Sequence, residues 1–321
     1  MRSLKHPIIT GGAGFIGSHL SQVLLEHPEV EQITILDKLT YASSRRNIPT
    51  TSRAHFHLLD ITDLSRLQAT LKNIKNPTCL FNLAAESHVD RSITNSTPFT
   101  YTNILGTQNL IESCRQHNLP LIQISTDEVY GSIQSPEKLT ESSPLLPSSP
   151  YSASKASADL LCLAAHHTHK QDIVITRSSN NYGTNQFPEK LIPLFIKNAL
   201  SNNPLPIYGN GLQVRDWIHV HDHCQALIAA IQKGTPGEIY NIGADETHTN
   251  LDIAKKILLT LKKPESLISH VTDRLGHDTR YSIDSTKAQT QLGWKPLLNF
   301  ESTFPTTIQK IAKSFPKSRQ N

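Results

Sequence analysis

The sequence predicts a doubly wound α/β fold, a parallel sheet with helices on both faces, and a smaller C-terminal lobe. Three observations carry this. From Ile8 to Ser178, short apolar runs of strand character alternate with longer segments of helical period, the pattern of repeated strand–helix–strand units. The first run opens through a glycine-rich turn into a helix. Beyond Ser178 the alternation breaks into short elements separated by turn signals such as Asn202-Asn-Pro204 and Gly209-Asn-Gly211. The expected division is a sheet domain over 1–178, to which some later segments return, a second lobe mainly over 179–312, and a frayed tail over 313–321.

The first strand is Ile8-Ile-Thr, followed by Gly11-Gly-Ala-Gly14-Phe-Ile-Gly17. The early glycines permit a tight turn, the middle one lets the backbone approach a pyrophosphate, and the last lets the helix pack on the strand. The helix N-terminus then faces the phosphates with its partial positive charge. The second strand, Gln32 to Asp37, ends on an acid 20 residues after Gly17. An acid there binds the adenosine ribose hydroxyls and favours NAD over NADP, although Lys38, Arg45 and Arg46 stand nearby. A third strand is expected at His55–Asp60. A helix over about 62–73 has Leu64, Leu67 and Leu71 at helical spacing. The fourth strand, Cys79 to Ala84, exits into the polar run Ala85 to Arg91, which reads as a site or as a solvated loop. A long helix over about 98–117 and strands at Leu121–Ser125 and Asp172–Ser178 complete a Rossmann-type sheet.

Chemistry is concentrated after the fifth strand. Thr126, Asp127 and Glu128 follow it directly, and in doubly wound sheets ligands sit beyond the carboxyl ends of strands. Two adjacent carboxyls are poor packing material and good general acid/base material; the bland alternative is a pair of surface acids. Tyr151 and Lys155 share one helix face. None of the other seven tyrosines has a lysine four residues later. A tyrosine near its reference value of ~10 is a poor base at neutral pH. A neighbouring ammonium is expected to lower that value, so that the pair takes a proton from a sugar hydroxyl. The helix that follows, to Ala165, is apolar nearly all round, which suggests a homodimer face. Pro206-Ile-Tyr208 and Val214-Arg215-Asp216-Trp217 bring a guanidinium and aromatics together, suited to a pyrophosphate and a base or to a structural Arg–Asp pair. His219, His221 and His223 lack the spacing of a closed tetrahedral metal site, and no metal is expected. His166, His167 and His169 suit a helix end.

Composition excludes several classes. Lys+Arg is 31 against Asp+Glu 27, a net +4, with no basic stripe for nucleic acid. No apolar stretch reaches ~18 residues, so no membrane span is expected. The start, Met1 to Pro7, does not read as a signal peptide. Four scattered cysteines, Cys79, Cys114, Cys162 and Cys224, read as reduced core residues of a cytoplasmic protein.

These motifs resemble the extended short-chain dehydrogenases/reductases, and among them the NAD-dependent nucleotide-sugar epimerase/dehydratase family, from Ile8 to about Trp294. The carriers are Thr10–Gly17, Asp37–Ala42, Leu83–Ser92, Ser125–Gly131, Ser149–Lys155, Ser179–Gly183, Phe187–Leu191, Arg215–Trp217 and Asp273–Tyr281. Thr126-Asp-Glu128 discriminates, because related epimerases lack the Asp-Glu pair. The resemblance implies a hydro-lyase of deoxysugar biosynthesis, as in the rhamnose pathway, that removes water from dTDP-glucose to give dTDP-4-keto-6-deoxyglucose. It assigns catalysis to Thr126, Asp127, Glu128, Tyr151 and Lys155. NAD would be held by Gly11, Gly14, Phe15, Ile16, Gly17, Asp37, Lys38, Thr40, Asp60, Ile61, Leu83, Ala84, Ala85, Thr102, Tyr151, Lys155 and Asn181. The nucleotide sugar would be held by Ser87, Thr126, Asn180, Lys190, Leu191, Pro206, Tyr208, Arg215, Asn250, Arg274, His277, Asp278, Arg280 and Tyr281. The chain departs from the family at Ser43-Ser44, where Gly-Asn is usual, and at Thr279, where an arginine is usual; the connection from Ser132 to Ser149 is compact. The alternatives are a UDP-sugar 4,6-dehydratase, an epimerase, a decarboxylase, or a non-catalytic NAD-binding sensor.

Overall fold

The computed structural model describes residues 1–134 and 137–315. Its strands are β1 (Pro7–Thr10), β2 (Ile33–Asp37), β3 (Ala54–Leu58), β4 (Cys79–Asn82), β5 (Leu121–Thr126), β6 (Ile173–Ser178), β7 (Asn180–Tyr182), β8 (Leu205–Tyr208), β9 (Val214–His219), β10 (Ile239–Ile242), β11 (Thr247–Thr249) and β12 (Ile268–Val271). Its helices are α1 (Phe15–Glu26), α2 (Leu64–Asn73), α3 (Val89–Thr94), α4 (Thr97–Phe99), α5 (Gly106–Gln116), α6 (Pro150–His169), α7 (Leu191–Leu200), α8 (Val220–Lys233), α9 (Asn250–Leu261) and α10 (Phe300–Ser314).

Seven strands form one parallel sheet in the order β3-β2-β1-β4-β5-β6-β10. Strands β1, β2, β4, β5 and β6 are buried at every position, which is why they read as continuous apolar runs rather than alternations. The edge strand β3 carries exposed His55 and His57, polar residues suited to an unpaired edge. Helices α1 and α8 cover one face with Leu20, Leu24, Leu227 and Ile231. Helices α2, α5 and α6 cover the other with Leu67, Leu71, Leu110 and Cys162. Segments beyond residue 178 do return here: β10 pairs with β6, Ile242 opposite Ser178, and α8 packs beside α1. The long helix expected over 98–117 is α4 and α5 joined by a π-helical stretch, Thr100–Leu105. Such under-wound turns often mark functional positions, and Thr102 lies in this one.

The second lobe has its own core. Tyr182, Phe195, Trp217, Phe300 and Phe304 are buried together between α7, α9 and α10, with Phe300 stacked on Phe304 at 4.5 Å. Strand β9 lies between β7 and β11, and β8 pairs with β12. Of the tail expected to fray, Lys313 and Ser314 end α10, and residues 316–321 lie outside the described residues. No helix among the described residues is long and apolar enough to cross a membrane. Leu160 on α6 and Tyr101 and Leu105 on the π-helical stretch that packs against α6 are exposed.

Candidate active site

The carboxyl ends of β1, β2, β4, β5 and β6 open on a cleft of about 590 Å³ closed on its far side by the second lobe. Small-molecule sites are of this size, roughly 300–1,000 Å³. Every residue expected to touch cofactor or to act in catalysis lines it. So does every expected substrate residue except Asp278 and Arg280.

The cofactor half is backbone-built. Gly11 has φ +67°, a left-handed turn, and a Cβ there would meet Leu83 and Ala84 backbone at 2.7 Å. A Cβ on Gly17 would lie 2.3 Å from the Gly11 carbonyl oxygen, so this glycine is what lets α1 pack so close to the turn. Gly14, the N-cap of α1, has no side-chain cap. A Cβ on Gly14 would fill space that the chain leaves open, with only the Gly11 carbonyl oxygen at 3.3 Å. Asp37 accepts from Ala13 N–H (3.0 Å), Leu39 N–H (2.7 Å) and Ser43 Oγ (3.2 Å). A carboxylate has about four acceptor positions, so one remains for a ribose hydroxyl. Ser43 therefore adds to the Asp37 network a donor that glycine could not supply. Lys38 reaches Thr102 Oγ1 (3.1 Å) and faces Asp60 at 3.6 Å. Asn181 accepts from the buried His223 Nδ1 at 2.8 Å. Burial holds His223 down to about 3; it is neutral and its N–H fixes the Asn181 amide. The open cradle at Gly14 and the acceptor position left on Asp37 fit a dinucleotide.

The floor is made where β5 ends. Thr126 Oγ accepts from the Glu128 N–H (3.3 Å) and starts a 3₁₀ turn, Asp127–Tyr130. The turn closes at Gly131, φ +77°, where a Cβ would strike the Leu146 carbonyl at 2.1 Å. This sharp reversal turns both acids back under the sheet's edge. Asp127 is 2% exposed. Its Oδ1 accepts from Thr126 Oγ (3.2 Å), and its Oδ2 is buried without a partner. An unpaired buried carboxylate oxygen is costly, and a proton relieves it. Burial first, then the charges of Glu128 and Asp216, push Asp127 well above the carboxylate range. Burial also raises Glu128, but Arg274, Lys190 and Arg215 pull against it. The two environments push the carboxyls apart, Asp127 further up than Glu128, the order that an acid and a base need.

Helix α6 starts at Pro150 behind a Ser149–Ser152 capping box, which puts Tyr151 in its first turn. The Tyr151 N–H donates to Ser92 Oγ (3.2 Å), and its ring stands edge-on to Phe99. Lys155, one turn on, donates to the Ile124 carbonyl at 2.5 Å. The lowering of Tyr151 expected from Lys155 is opposed by its other surroundings. Burial, then Glu128 and Asp127, push the Tyr151 hydroxyl far up, with only a hydrogen bond to Thr126 easing it. The Lys155 bond to Ile124 uses one of the three donors of the ammonium to anchor α6 to β5. Beneath it, Arg177 and Asp159 form a fully buried pair at 2.9 Å.

The substrate half is assembled from loops. Lys190 Nζ donates to the Ser87 carbonyl (2.6 Å). Arg215 donates to the Asp278 carbonyl (2.8 Å) and lies 4.2 Å over the Tyr281 ring. Arg274 faces Asp90 at 3.4 Å, and Tyr208 OH donates to the same carboxylate at 3.1 Å. Asp278 stands behind this wall: its carboxylate accepts from Ser148 and from the Tyr281 hydroxyl, so it orients Tyr281 and does not face the cleft. Arg280 is half-buried off the cleft, its carbonyl taken by Ile133 N–H (3.2 Å). Thr279, where an arginine was usual, closes on Ser132 (2.9 Å). Of the compact 132–149 connection, residues 135 and 136 lie outside the described residues; Leu139 bridges to Ile283. Sequence reasoning missed Glu86, His88, Asp90, Gln186, Phe187 and Glu189, all on the cleft wall. For Glu86, His88 and Asp90 the polar run after β4 was the available signal, and for Phe187 and Glu189 the motif Phe187–Leu191. Among the described residues no group of histidine, cysteine or acidic side chains could hold a metal ion.

Such a sheet, glycine turn and Tyr–Lys helix over a carboxyl pair define an extended short-chain dehydrogenase/reductase of the nucleotide-sugar type. Residues 8–307 match the family model described as GDP-mannose 4,6 dehydratase, and the chain belongs to that family. Within it the chain is similar to dTDP-glucose 4,6-dehydratases. That of Actinoplanes sp. is 44% identical, covering 94% of this chain and 96% of its own. That of Neisseria gonorrhoeae is 44% identical, covering 95% of each. The crystal structure of DesIV, the dTDP-glucose 4,6-dehydratase of Streptomyces venezuelae, solved with NAD bound, superposes with TM-score 0.93 at 42% identity, covering 96% of this chain and 97% of that one.

Proposed function

We propose that the protein is an NAD-dependent hydro-lyase that converts dTDP-glucose to dTDP-4-keto-6-deoxyglucose. The observation that carries this is the carboxyl pair at the end of β5, buried Asp127 with an unpartnered oxygen beside cation-flanked Glu128, set under Tyr151. Epimerisation at C4 has no use for an acid at C6. The similar dehydratases support the same reading.

The glycine turn and Asp37 would hold NAD, which would supply a hydride acceptor at C4 and a hydride donor at C6, so that a turnover would be redox-neutral. The chain's residues handle the protons. Thr126 holds the 4-oxygen, and Tyr151 takes its proton as a phenolate, the form that the Lys155 ammonium and the positively charged nicotinamide of bound NAD would favour. The 4-ketone acidifies C5, whose proton Glu128 removes and later returns. Asp127 donates its proton to the 6-oxygen, which leaves as water. The proton left on Tyr151 balances the one lost from Asp127, and passing one proton across the floor resets the site.

Residues 1–178 with β10 and α8 serve as the cofactor lobe, and the rest of 179–312 as the sugar-nucleotide lobe. Arg215, Arg274 and Lys190 neutralise the diphosphate. Exposed Leu160, Tyr101 and Leu105 stand on the face of a homodimer. Four buried free cysteines suit a reducing cytoplasm. Mass spectrometry of purified protein with dTDP-glucose and UDP-glucose, with and without added NAD, tests the activity. Loss of one water from dTDP-glucose with little from UDP-glucose is expected. Equal loss from both overturns the thymidine preference, and loss from neither in NAD-bound protein overturns the dehydration.

A further inference from the structure

On the outer rim of the cofactor half, three segments far apart in sequence meet at Arg91 of α3. Its guanidinium lies 3.8 Å over the ring of Tyr41, from the loop after β2. The same guanidinium grips one oxygen of Glu189, from the loop before α7, through Nε (3.0 Å) and Nη2 (2.9 Å). Tyr41 stands edge-on to Phe187 of that second loop at 5.3 Å, which closes the ring of contacts. Burial, then the carboxylates of Glu189 and Glu86, push the Tyr41 hydroxyl up; it meets the cation as a neutral phenol.

Neither Tyr41 nor Arg91 lines the cleft, but their neighbours do: Thr40, Ala42 and Ser43 on one side, Gln186, Phe187 and Glu189 on the other. The cluster thus spans the two loops that border the cofactor half, from outside. It is also anchored inward. Ser92, the next residue of α3, accepts the backbone N–H of Tyr151, and Asp90, the residue before, holds Arg274 and Tyr208 of the second lobe.

We propose that Arg91 is a positioning residue, the keystone of a latch that holds the loops of Tyr41 and Glu189 closed over the bound cofactor. This rests on the reading that the cleft holds NAD for a reaction in which the reduced form must stay until it has returned what it took. The Arg91 side chain is half exposed. A planar guanidinium that pairs and stacks at once restrains more than an ordinary exposed ion pair, yet remains open to water, so the latch can release.

The test is the release rate of NADH, followed by its fluorescence in stopped flow against excess NAD. Arg91→Ala releases NADH about tenfold faster, about 1.4 kcal/mol, with an unchanged melting temperature. Arg91→Lys, which keeps charge and loses the flat stack, recovers part of the retention. Combining Arg91→Ala with Glu189→Gln releases no faster than Arg91→Ala alone. Added salt speeds release from the unsubstituted protein and leaves Arg91→Ala indifferent. An unchanged rate in Arg91→Ala, in a protein that binds NADH, overturns the latch alone. Absence of NADH binding by the unsubstituted protein overturns the reading of the cleft and the latch with it.

Discussion

The two halves of the cleft are built on different principles. The cofactor half is backbone and strand end: Gly11 and Gly17 tolerate no side chain, and Asp37 is tied by two backbone N–H groups and Ser43. The substrate half is side chains from separate segments, Lys190, Arg215, Arg274 and Tyr281, each held by one or two hydrogen bonds or a stacking contact. A preformed backbone cradle keeps its ligand through many turnovers. A wall of loops bridged by ion pairs opens and closes for a ligand that comes and goes each time. That contrast matches a resident NAD and a transient sugar nucleotide.

Substitutions in the two halves should therefore fail differently. Gly11→Ala forces a left-handed alanine into the backbone of Leu83 and Ala84; NAD affinity should fall about 100-fold or more, and titration calorimetry will measure it. Retained affinity would mean that the turn yields, and that the cradle is not preformed. At the floor, the pH profile of kcat should be a bell belonging to the pair. Glu128 must be ionised, so activity is lost as pH falls through its raised value. Asp127 must be protonated, so activity is lost as pH rises through a value raised further still. Both limbs should lie above the ordinary carboxylate range, and a basic limb that persists unchanged in Asp127→Asn would remove that assignment. The smallest effect is expected from Arg215→Lys, which keeps charge but loses the fork and the stack on Tyr281. Binding of dTDP should weaken about tenfold, the scale of one charged hydrogen bond, with NAD affinity unmoved. Loss of NAD affinity as well would erase the distinction between the halves.

The same contrast governs what could be read from sequence. The glycine turn, Asp37, the Thr126–Glu128 triplet and the Tyr151–Lys155 pair are local patterns on successive elements of one sheet, so spacing alone locates them. The substrate wall depends on contacts between residues a hundred or more positions apart, such as Arg274 with Asp90 and Lys190 with Ser87, and spacing carries no trace of these. Hence Asp90 and Arg91 sat unassigned in a polar run, while Asp278 and Arg280 were assigned by the company of Arg274 and His277 and stand off the cleft. The surroundings of the Tyr151 hydroxyl were hidden for a related reason. The lysine at the right spacing is visible in sequence; the burial and the two carboxylates that oppose it are not.

The carboxyl pair is the centre of this account, and Glu128→Gln under single-turnover conditions tests it most directly. The substitution removes the base at C5 and leaves Thr126, Tyr151 and Lys155 in place. Mixed with dTDP-glucose, the NAD-loaded variant should oxidise C4 and stop, so that bound NADH accumulates to near one per site and no water is lost. Full multiple turnover in Glu128→Gln, with no NADH build-up, would contradict the assignment of elimination to this residue.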